Sequence, residues 1–327
     1  MKKIIVAGLA ILGAATLAFG AYYLANAPKE AKDSAPIEET GTETPQDIDN
    51  DLPAEEAAIQ ENENGKMPET GETTNKSQDA GKTIIGKSVQ GREIVAYHFG
   101  DGQKEILFVG GAHGGYSWNT ALLAYQWIDY LKNNGDKIPA NIKITVIPAL
   151  NPDGLAKVVD AAGPFSANDV LASADTALSR FNANNVDLNR NFDCEWKTSG
   201  VWQSKTVSGG AAPFSEPESA AIRDYVQNNR PSAVVAWYTS AGGVFASSCN
   251  NGVSATTQAI TDAYANASGY PAHKDFDFYE ITGDMTNWLA KIGVPAIGVV
   301  LSTANDTELS KNQAGCRAVI EYFANKK

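Results

Sequence analysis

The stretch Lys104–Thr120 reads KEILFVGGAHGGYSWNT and combines three local patterns. Its apolar run, Ile106–Val109, has the length and residue types of a buried strand. The glycines around His113 let the chain turn sharply and approach a ligand closely. A helical pattern of apolar residues begins at Trp118. Ligands of open α/β sheets bind in the loops that leave the carboxyl ends of strands, so the stretch predicts His113 at a functional site. The alternative is a turn in which His113 is only a cap.

Length and charge restrict the kind of domain. Of the 38 acidic residues in this 327-residue chain, 15 lie between positions 28 and 82, beside five lysines. Residues 83–327 therefore carry a formal charge of only −4 out of −12, and they contain no basic stretch of the kind that binds nucleic acid. About 245 residues suffice for one well-buried α/β core. We predict a single domain over 83–327 with no nucleic-acid partner.

The N-terminal segment has the pattern of a membrane anchor. After Met1-Lys2-Lys3, residues 4–25 carry no charge. As a helix, this run spans roughly 33 Å, which is enough to cross a bilayer. A small-residue exit follows, but Pro28 hinders cleavage there. We predict that residues 1–27 are an uncleaved single-pass anchor with the domain outside the cytoplasm. Cleavage and secretion is the alternative.

Residues 28–82 join this segment to the domain. They are rich in Glu, Asp, Thr, Asn and Pro and show no apolar periodicity. Such a composition buries too little apolar surface to fold, which predicts a disordered acidic linker.

Three cysteines, Cys194, Cys249 and Cys316, lie in the domain. Outside the cytoplasm two of them can form a disulfide. Cys194 and Cys249 both lie near loops assigned to the functional face, which predicts that they pair and that Cys316 stays unpaired. Three buried thiols are the alternative.

Strand patterns alternate with helical patterns along the domain. Strands are predicted at 83–86, 92–99, 106–110, 142–148, 234–238 and 295–301, and helices at 118–131, 215–228, 257–267, 284–291 and 308–323. This alternation predicts an α/β fold with a largely parallel sheet and helices on both faces. The loops bearing His113, Thr239 and Ser302 then converge at strand ends. A capping box, with Ser215 facing Glu218, is predicted to start the second helix.

Four segments stand in a distinctive order: Gly110–Thr120, Arg180–Phe192 with its DLNRNF core, Ser215–Glu218 and Tyr279–Trp288. In this order they resemble the zinc carboxypeptidase family of M14-type metallopeptidases. The resemblance covers residue 83 to the C-terminus and implies a mixed eight-stranded sheet flanked by helices. It also implies removal of C-terminal residues from peptides, or trimming of stem peptides in bacterial cell walls.

The family chemistry requires one zinc held by His, Glu and His, with a further glutamate as general base. His113 matches the first histidine. The glutamate position falls at Tyr116 or Ser117, the second histidine at Thr239 and the general base at Val300. Hydroxyl groups are weak zinc ligands, and valine accepts no proton. The sequence therefore predicts a degenerate, catalytically impaired member without zinc.

The residues that bind the substrate's carboxylate in this family have counterparts in the sequence. The resemblance matches Asn189 and Arg190 to the family's asparagine–arginine pair, Arg180 to its more distant arginine and Tyr279 to the tyrosine that closes over the substrate. A guanidinium binds a carboxylate through two parallel hydrogen bonds and needs no metal. We therefore predict a domain that binds peptide C-termini, with peptidoglycan stem peptides as the natural ligand, and does not cut them.

Three other interpretations remain open at this point. The arginines can instead form ion pairs with Asp187 and Asp193. A rearranged zinc site in an active carboxypeptidase would recruit His273, Asp284 or Asp306, while His98 is expected to pack in a strand. A serine hydrolase would use Ser117 or Ser240 as nucleophile, although the chain has no G-x-S-x-G motif.

Overall fold

A mixed eight-stranded sheet organises the domain. The computed structural model describes residues 81–160, 163–172 and 175–326. Its strands are β1 (Gly81–Lys87), β2 (Glu93–Phe99), β3 (Lys104–Val109), β4 (Ile142–Ile147), β5 (Ser199–Trp202), β6 (Lys205–Ser208), β7 (Ala233–Thr239), β8 (Gly243–Ala246), β9 (Ala272–His273) and β10 (Ala296–Leu301). Its helices are α1 (Trp118–Asn133), α2 (Pro152–Leu155), α3 (Pro217–Asn229), α4 (Ala255–Ser268), α5 (Met285–Lys291) and α6 (Leu309–Asn325).

The strand order is β1-β2-β4-β3-β7-β10-β8-β9, and β5 and β6 form a separate two-stranded sheet. The β4/β3, β3/β7, β7/β10 and β8/β9 pairs are parallel, whereas β1/β2, β2/β4 and β10/β8 are antiparallel. The predicted mixed, mostly parallel sheet is therefore confirmed. Its parallel centre explains the continuous apolar runs of β3, β7 and β10, which are covered on both faces.

The two faces of the sheet bury separate apolar clusters. One contains residues of α1, α4 and α6, with Trp127 and Tyr264 among its largest buried side chains. The other contains residues of α3 and α5, including Tyr225 and Trp288. Helices thus cover both faces, as the alternating sequence pattern predicts.

The functional edge forms where β3, β7 and β10 end side by side. Because these three strands run parallel, the loops that follow them emerge at one edge. Thr239 Oγ1 donates to the Thr303 carbonyl at 2.6 Å, and Asn119 Nδ2 donates to the same carbonyl at 2.9 Å. These hydrogen bonds join the β7 and β10 loops to the start of α1, so the predicted convergence of the three loops is confirmed.

The first described strand begins two residues before the predicted start of the domain. Strand β1 starts at Gly81, so Gly81 and Lys82, which composition assigns to the linker, belong to the sheet. The anchor at 1–27 and the rest of the linker lie outside the described residues. Among the helices of the described ranges, none is long and apolar enough to span a membrane.

The predicted capping box is wrong. Helix α3 begins at Pro217, and Glu216 is its N-cap residue. Ser215 Oγ donates to the Glu216 carboxylate at 3.0 Å instead of capping the helix. Glu218 instead accepts from the Val89 backbone N–H at 3.2 Å. Proline is favoured in the first turn, where its missing N–H costs nothing, and it shifts the helix start past the expected cap.

Candidate functional site

A cavity of about 870 Å³ opens at the carboxyl ends of β3, β7 and β10. His113 and Thr239 line it from the loops after β3 and at the end of β7, and Val300 lines it from β10. The turn between β5 and β6 and residues of the segment 275–281 also line it. The cavity is therefore at the edge that the strand order predicts for a ligand.

The loop after β3 requires its glycines. Gly114 has φ of +49°, and a Cβ there would lie 2.5 Å from the Ser179 carbonyl oxygen. A Cβ on Gly115 would lie 2.5 Å from the Val158 side chain. The chain can therefore fold tightly against these neighbours only without side chains. This packing holds His113 at 5% exposure, with its ring 5.4 Å from that of Tyr238.

His113 contacts a cation. Arg180 Nη2 lies 2.9 Å from His113 Nε2, and Arg180 Nε donates to Asp187 Oδ2 at 2.9 Å. Arginine has no acceptor, so Arg180 is the donor in this contact. His113 Nδ1 is buried and has no hydrogen-bond partner among the described residues. Burial, and secondarily the Arg180 charge, lowers the pKa of His113 to about 3.

Arg180 is held rigidly, but not all of its N–H donors are used. Its guanidinium lies 4.7 Å from the Trp202 ring and 5.5 Å from the Tyr116 ring, and only 4% of the residue is exposed. Of its five N–H groups, one is used by Asp187 and one by His113. Among the described residues, none accepts from Nη1. Because Arg180 lines the cavity, it presents spare donors to a bound anion.

Asn189 lies in the cavity wall, and both polar atoms of its side chain are hydrogen-bonded. Its Oδ1 accepts from the Tyr238 hydroxyl at 3.1 Å and the Met285 N–H at 3.3 Å. Its Nδ2 donates to Asp284 Oδ2 at 2.7 Å. Asn189 therefore links Tyr238 to the start of α5 through hydrogen bonds.

Arg190 is directed away from the cavity. Its guanidinium donates to Thr282 Oγ1 at 3.2 Å, the Val201 carbonyl at 2.7 Å and the Glu280 carbonyl at 3.4 Å. Arg190 is absent from the cavity lining, whereas Arg180, Asn189 and Tyr279 belong to it. Three of the four predicted carboxylate-binding residues thus meet at the cavity.

Tyr279 lies at the mouth of the cavity. It is 45% exposed and packs edge-on against Phe276, with ring centroids 4.9 Å apart. Phe278, in the same segment, is 56% exposed. Both rings line the cavity, so the mouth offers apolar contact area to a ligand.

The positions of the family's other metal ligands carry groups with different contacts. The Tyr116 hydroxyl accepts from Gln203 at 3.3 Å, and Ser117 Oγ is buried without a partner in the described part of the chain. Thr239 donates to a backbone carbonyl, and Val300 is 6% exposed and lines the cavity. Of the predicted ligand positions, only His113 carries an imidazole, and that imidazole contacts the Arg180 guanidinium.

The alternative metal donors also have other contacts. His273 stacks on Phe245 with ring centroids 4.5 Å apart, and His98 lies between Thr83 and Thr145 hydroxyls. Asp284 is the N-cap of α5, and its two oxygens accept from Asn189, Thr286 and Asn287. Within the described ranges, no group of three His, Cys, Asp or Glu side chains is arranged to hold a metal. The residues present do not fit the family's zinc.

The ion-pair interpretation of the arginines fits Arg180 in part. Arg180 pairs with Asp187, whereas Arg190 Nε stands 4.0 Å from the same carboxylate. Asp193 pairs with Lys291 at 2.8 Å instead.

The predicted disulfide is confirmed. Cys194 and Cys249 are joined, and Cys316 is a buried free thiol. The bridge connects the loop after the DLNRNF string to the loop after β8. Glu195 and Asn250, next to the two half-cystines, line the cavity, so the disulfide fixes part of its rim.

Sequence reasoning missed Trp202, which contacts Arg180 from the β5–β6 hairpin. The hairpin turn has positive φ at Gln203 and Ser204, +47° and +64°. Turns of this kind are usually recognised by Asn-Gly or Asp-Gly, and neither pair occurs at this turn.

A family model described as zinc carboxypeptidase, peptidase family M14, matches residues 72–313. The chain belongs to this family. Among curated proteins, it is 26% identical over 211 residues to gamma-D-glutamyl-L-diamino acid endopeptidase 1 of Lysinibacillus sphaericus, covering 58% of this chain and 52% of that protein. It is 29% identical over 155 residues to bacteriocin BCN5 of Clostridium perfringens, covering 46% of this chain and 15% of that one. The chain thus spans about half or less of these relatives' length.

Solved structures show the same fold. Murein-tripeptide amidase of Escherichia coli O157 aligns with a TM-score of 0.53 at 17% identity, covering 76% of this carboxypeptidase-family chain and 92% of that chain. Carboxypeptidase A of Helicoverpa armigera aligns with a TM-score of 0.59 at 19% identity, covering 74% of this chain and 69% of that chain.

Proposed function

We propose that this carboxypeptidase-family domain binds the free carboxylate end of a peptide and does not hydrolyse it by the family's zinc chemistry. The observation that carries the proposal is Arg180. This guanidinium lines the cavity with spare donors, and it lies 2.9 Å from the one imidazole that remains of the family's metal site.

The chemistry of the cavity supports binding over cutting. Asp187 and two aromatic rings hold Arg180 in one geometry, so little side-chain entropy is lost when an anion binds. Val300 offers no general base, and Thr239 offers no good metal ligand. Tyr279 and Phe278 supply apolar contacts at the mouth for the residues that precede the carboxylate.

Bacterial cell-wall peptides are the ligand class we propose. Of the similar proteins, the amidase is named for a murein tripeptide and the endopeptidase for a gamma-D-glutamyl-L-diamino acid linkage. We further propose that residues 1–27 tether the domain to the outer side of the cell membrane. The Cys194–Cys249 disulfide supports an oxidising location. Protease treatment of intact cells should degrade the domain, and protection of the domain would contradict the tethering.

The binding proposal is tested with N-acetyl-Ala-Ala as free acid and as amide, titrated calorimetrically into the full chain. A hydrogen-bonded charge pair predicts that the acid binds roughly 10- to 100-fold more tightly than the amide. Arg180→Lys keeps the charge beside Asp187 but loses the planar fork, and should remove most of this selectivity. Arg223→Lys, at a surface pair with Asp224, is the matched control. Equal affinity for acid and amide would contradict the proposal.

An active carboxypeptidase with a rearranged zinc site is the second candidate. One observation favours it, since no described residue pairs with His113 Nδ1 and Asp284 lines the same cavity. It predicts one equivalent of bound zinc and release of C-terminal residues that a chelator abolishes. Metal analysis with a peptide-release assay decides between the two candidates.

A further inference from the structure

The β5–β6 hairpin contacts Arg180 through one aromatic ring. Trp202, the last residue of β5, is 6% exposed, and its ring centroid lies 4.7 Å from the Arg180 guanidinium. The same ring packs edge-on against Tyr116, with centroids 4.9 Å apart. Trp202 therefore joins the loop that carries His113 to the arginine that we propose as the carboxylate-binding group.

Arg190 binds the backbone of the same hairpin. Its Nη2 donates at 2.7 Å to the carbonyl of Val201, the residue directly before Trp202. Gly200 permits this close approach, because a Cβ there would lie 2.5 Å from Arg190 Nη1 and 2.8 Å from its Cζ. A buried guanidinium must find its acceptors within the protein, and Arg190 is 4% exposed. The two residues before Trp202 are thus packed directly on Arg190.

The Arg190 guanidinium also binds the segment that carries Tyr279. Its Nη1 donates to Thr282 Oγ1 at 3.2 Å, and its Nη2 donates to the Glu280 carbonyl at 3.4 Å. Glu280 follows Tyr279 directly and lines the cavity, as the hairpin turn does. Arg190 therefore connects two parts of the cavity wall from outside the cavity.

The hairpin depends on such contacts for its position. Its two strands have four residues each and form a separate sheet, and an isolated two-stranded hairpin is marginally stable. Trp202 and Val207 are the buried residues of its strands. The Asp187 N–H holds the end of β6 through the Ser208 carbonyl at 3.0 Å. The strand that carries Trp202 is held by Arg190.

We propose that Arg190 is a positioning residue, which fixes the β5–β6 hairpin so that Trp202 stays in contact with Arg180, and that it does not itself touch the peptide carboxylate. The inference rests on the proposed carboxylate binding by Arg180. The Trp202 ring attracts the guanidinium and limits its motion, so less side-chain entropy is lost when the carboxylate binds.

A double-mutant cycle on the full chain tests this role. The readout is the ratio of the affinities for N-acetyl-Ala-Ala free acid and amide. Trp202→Leu removes the cation–π contact and should lower the ratio roughly two- to fivefold. Arg190→Lys keeps the charge near Asp187 but loses the fork that reaches the carbonyls, and should lower the ratio by no more than that. In the Trp202→Leu background, Arg190→Lys should leave the ratio unchanged, because no ring remains to be positioned.

A second variant disturbs the hairpin without changing a charged group. Gly200→Ala places a Cβ against the Arg190 guanidinium and should reproduce both the lower ratio and its absence in the Trp202→Leu background. Gly81→Ala, whose Cβ would meet no described atom within 4 Å, is the matched control and should keep the ratio. Urea unfolding confirms that each variant is folded. If Arg190→Lys does not fold, the Gly200→Ala cycle decides the question.

The two proposals fail in different ways. Equal affinity of the unaltered protein for acid and amide refutes carboxylate binding itself. If the acid is preferred but Arg190→Lys lowers the ratio by the same factor with and without Trp202→Leu, Arg190 acts on the carboxylate independently of the ring, and the positioning role is overturned. A ratio that neither Arg190→Lys nor Gly200→Ala changes overturns it as well.

Discussion

Replacing Asp187 by asparagine should destabilise the site more than any comparable surface change. The carboxylate is fully buried and accepts from Arg180 Nε at 2.9 Å and from the Asn189 backbone N–H at 3.2 Å. Arg190 Nε stands 4.0 Å away. Asparagine keeps the shape but removes the charge, which leaves two guanidiniums without a counter-ion. Breaking a buried ion pair in this way costs about 3–5 kcal/mol.

Urea unfolding of the full chain, followed by tryptophan fluorescence, measures this loss. The matched control is Asp193→Asn, whose side chain is 48% exposed in its pair with Lys291 and should cost about 0–1 kcal/mol. A cost for Asp187→Asn no larger than that of the control would refute the idea that this ion pair fixes Arg180.

The loss of stability caused by Asp187→Asn is predicted to depend on pH. Burial is the largest single effect and raises the pKa of Asp187, but the Arg180 charge, its hydrogen bond and the neighbouring charges together outweigh burial, so the net pKa is lowered. The stabilisation is therefore complete above the unfolded pKa of about 3.9 and is lost as the pH falls towards the lower folded value. The stability difference between wild type and Asp187→Asn should shrink below about pH 4.

Two further predictions concern the scaffold. Replacing Cys194 and Cys249 by serine opens a cross-link between residues 55 apart and should lower the free energy of unfolding by about 4 kcal/mol. An unfolding midpoint equal to that of wild type would contradict this. Gly315→Ala places a Cβ 2.3 Å from the buried Tyr264 ring and should cost about 1–3 kcal/mol in urea unfolding. No loss would show that α6 shifts freely.

The sequence predicts the central sheet and its helices well because their apolar patterns are long and regular. Strands β3, β7 and β10 are continuous apolar runs, and α1 and α6 carry clear apolar faces. The shortest elements are not predicted from the sequence. Strand β8 has four residues, and the β5–β6 turn uses Gln203 and Ser204 where glycine or asparagine is the usual signal.

The site is only partly predictable from the sequence for a different reason. The motif identifies Arg180, Asn189 and Arg190 but not the direction of their side chains. Arg190 is held by carbonyls of Val201 and Glu280, which no local pattern reveals. The contact between Arg180 and His113 joins residues 67 apart in sequence and depends on the packing of two irregular loops.

The most direct test of the central claim is the calorimetric affinity of the full chain for N-acetyl-Ala-Ala free acid, measured with a chelator and with added zinc. Because Arg180 binds the carboxylate without a metal and Val300 offers no general base, we predict equal affinities in both conditions and an intact peptide afterwards. Binding that requires zinc, with one equivalent of metal retained and the terminal alanine released, would contradict this account.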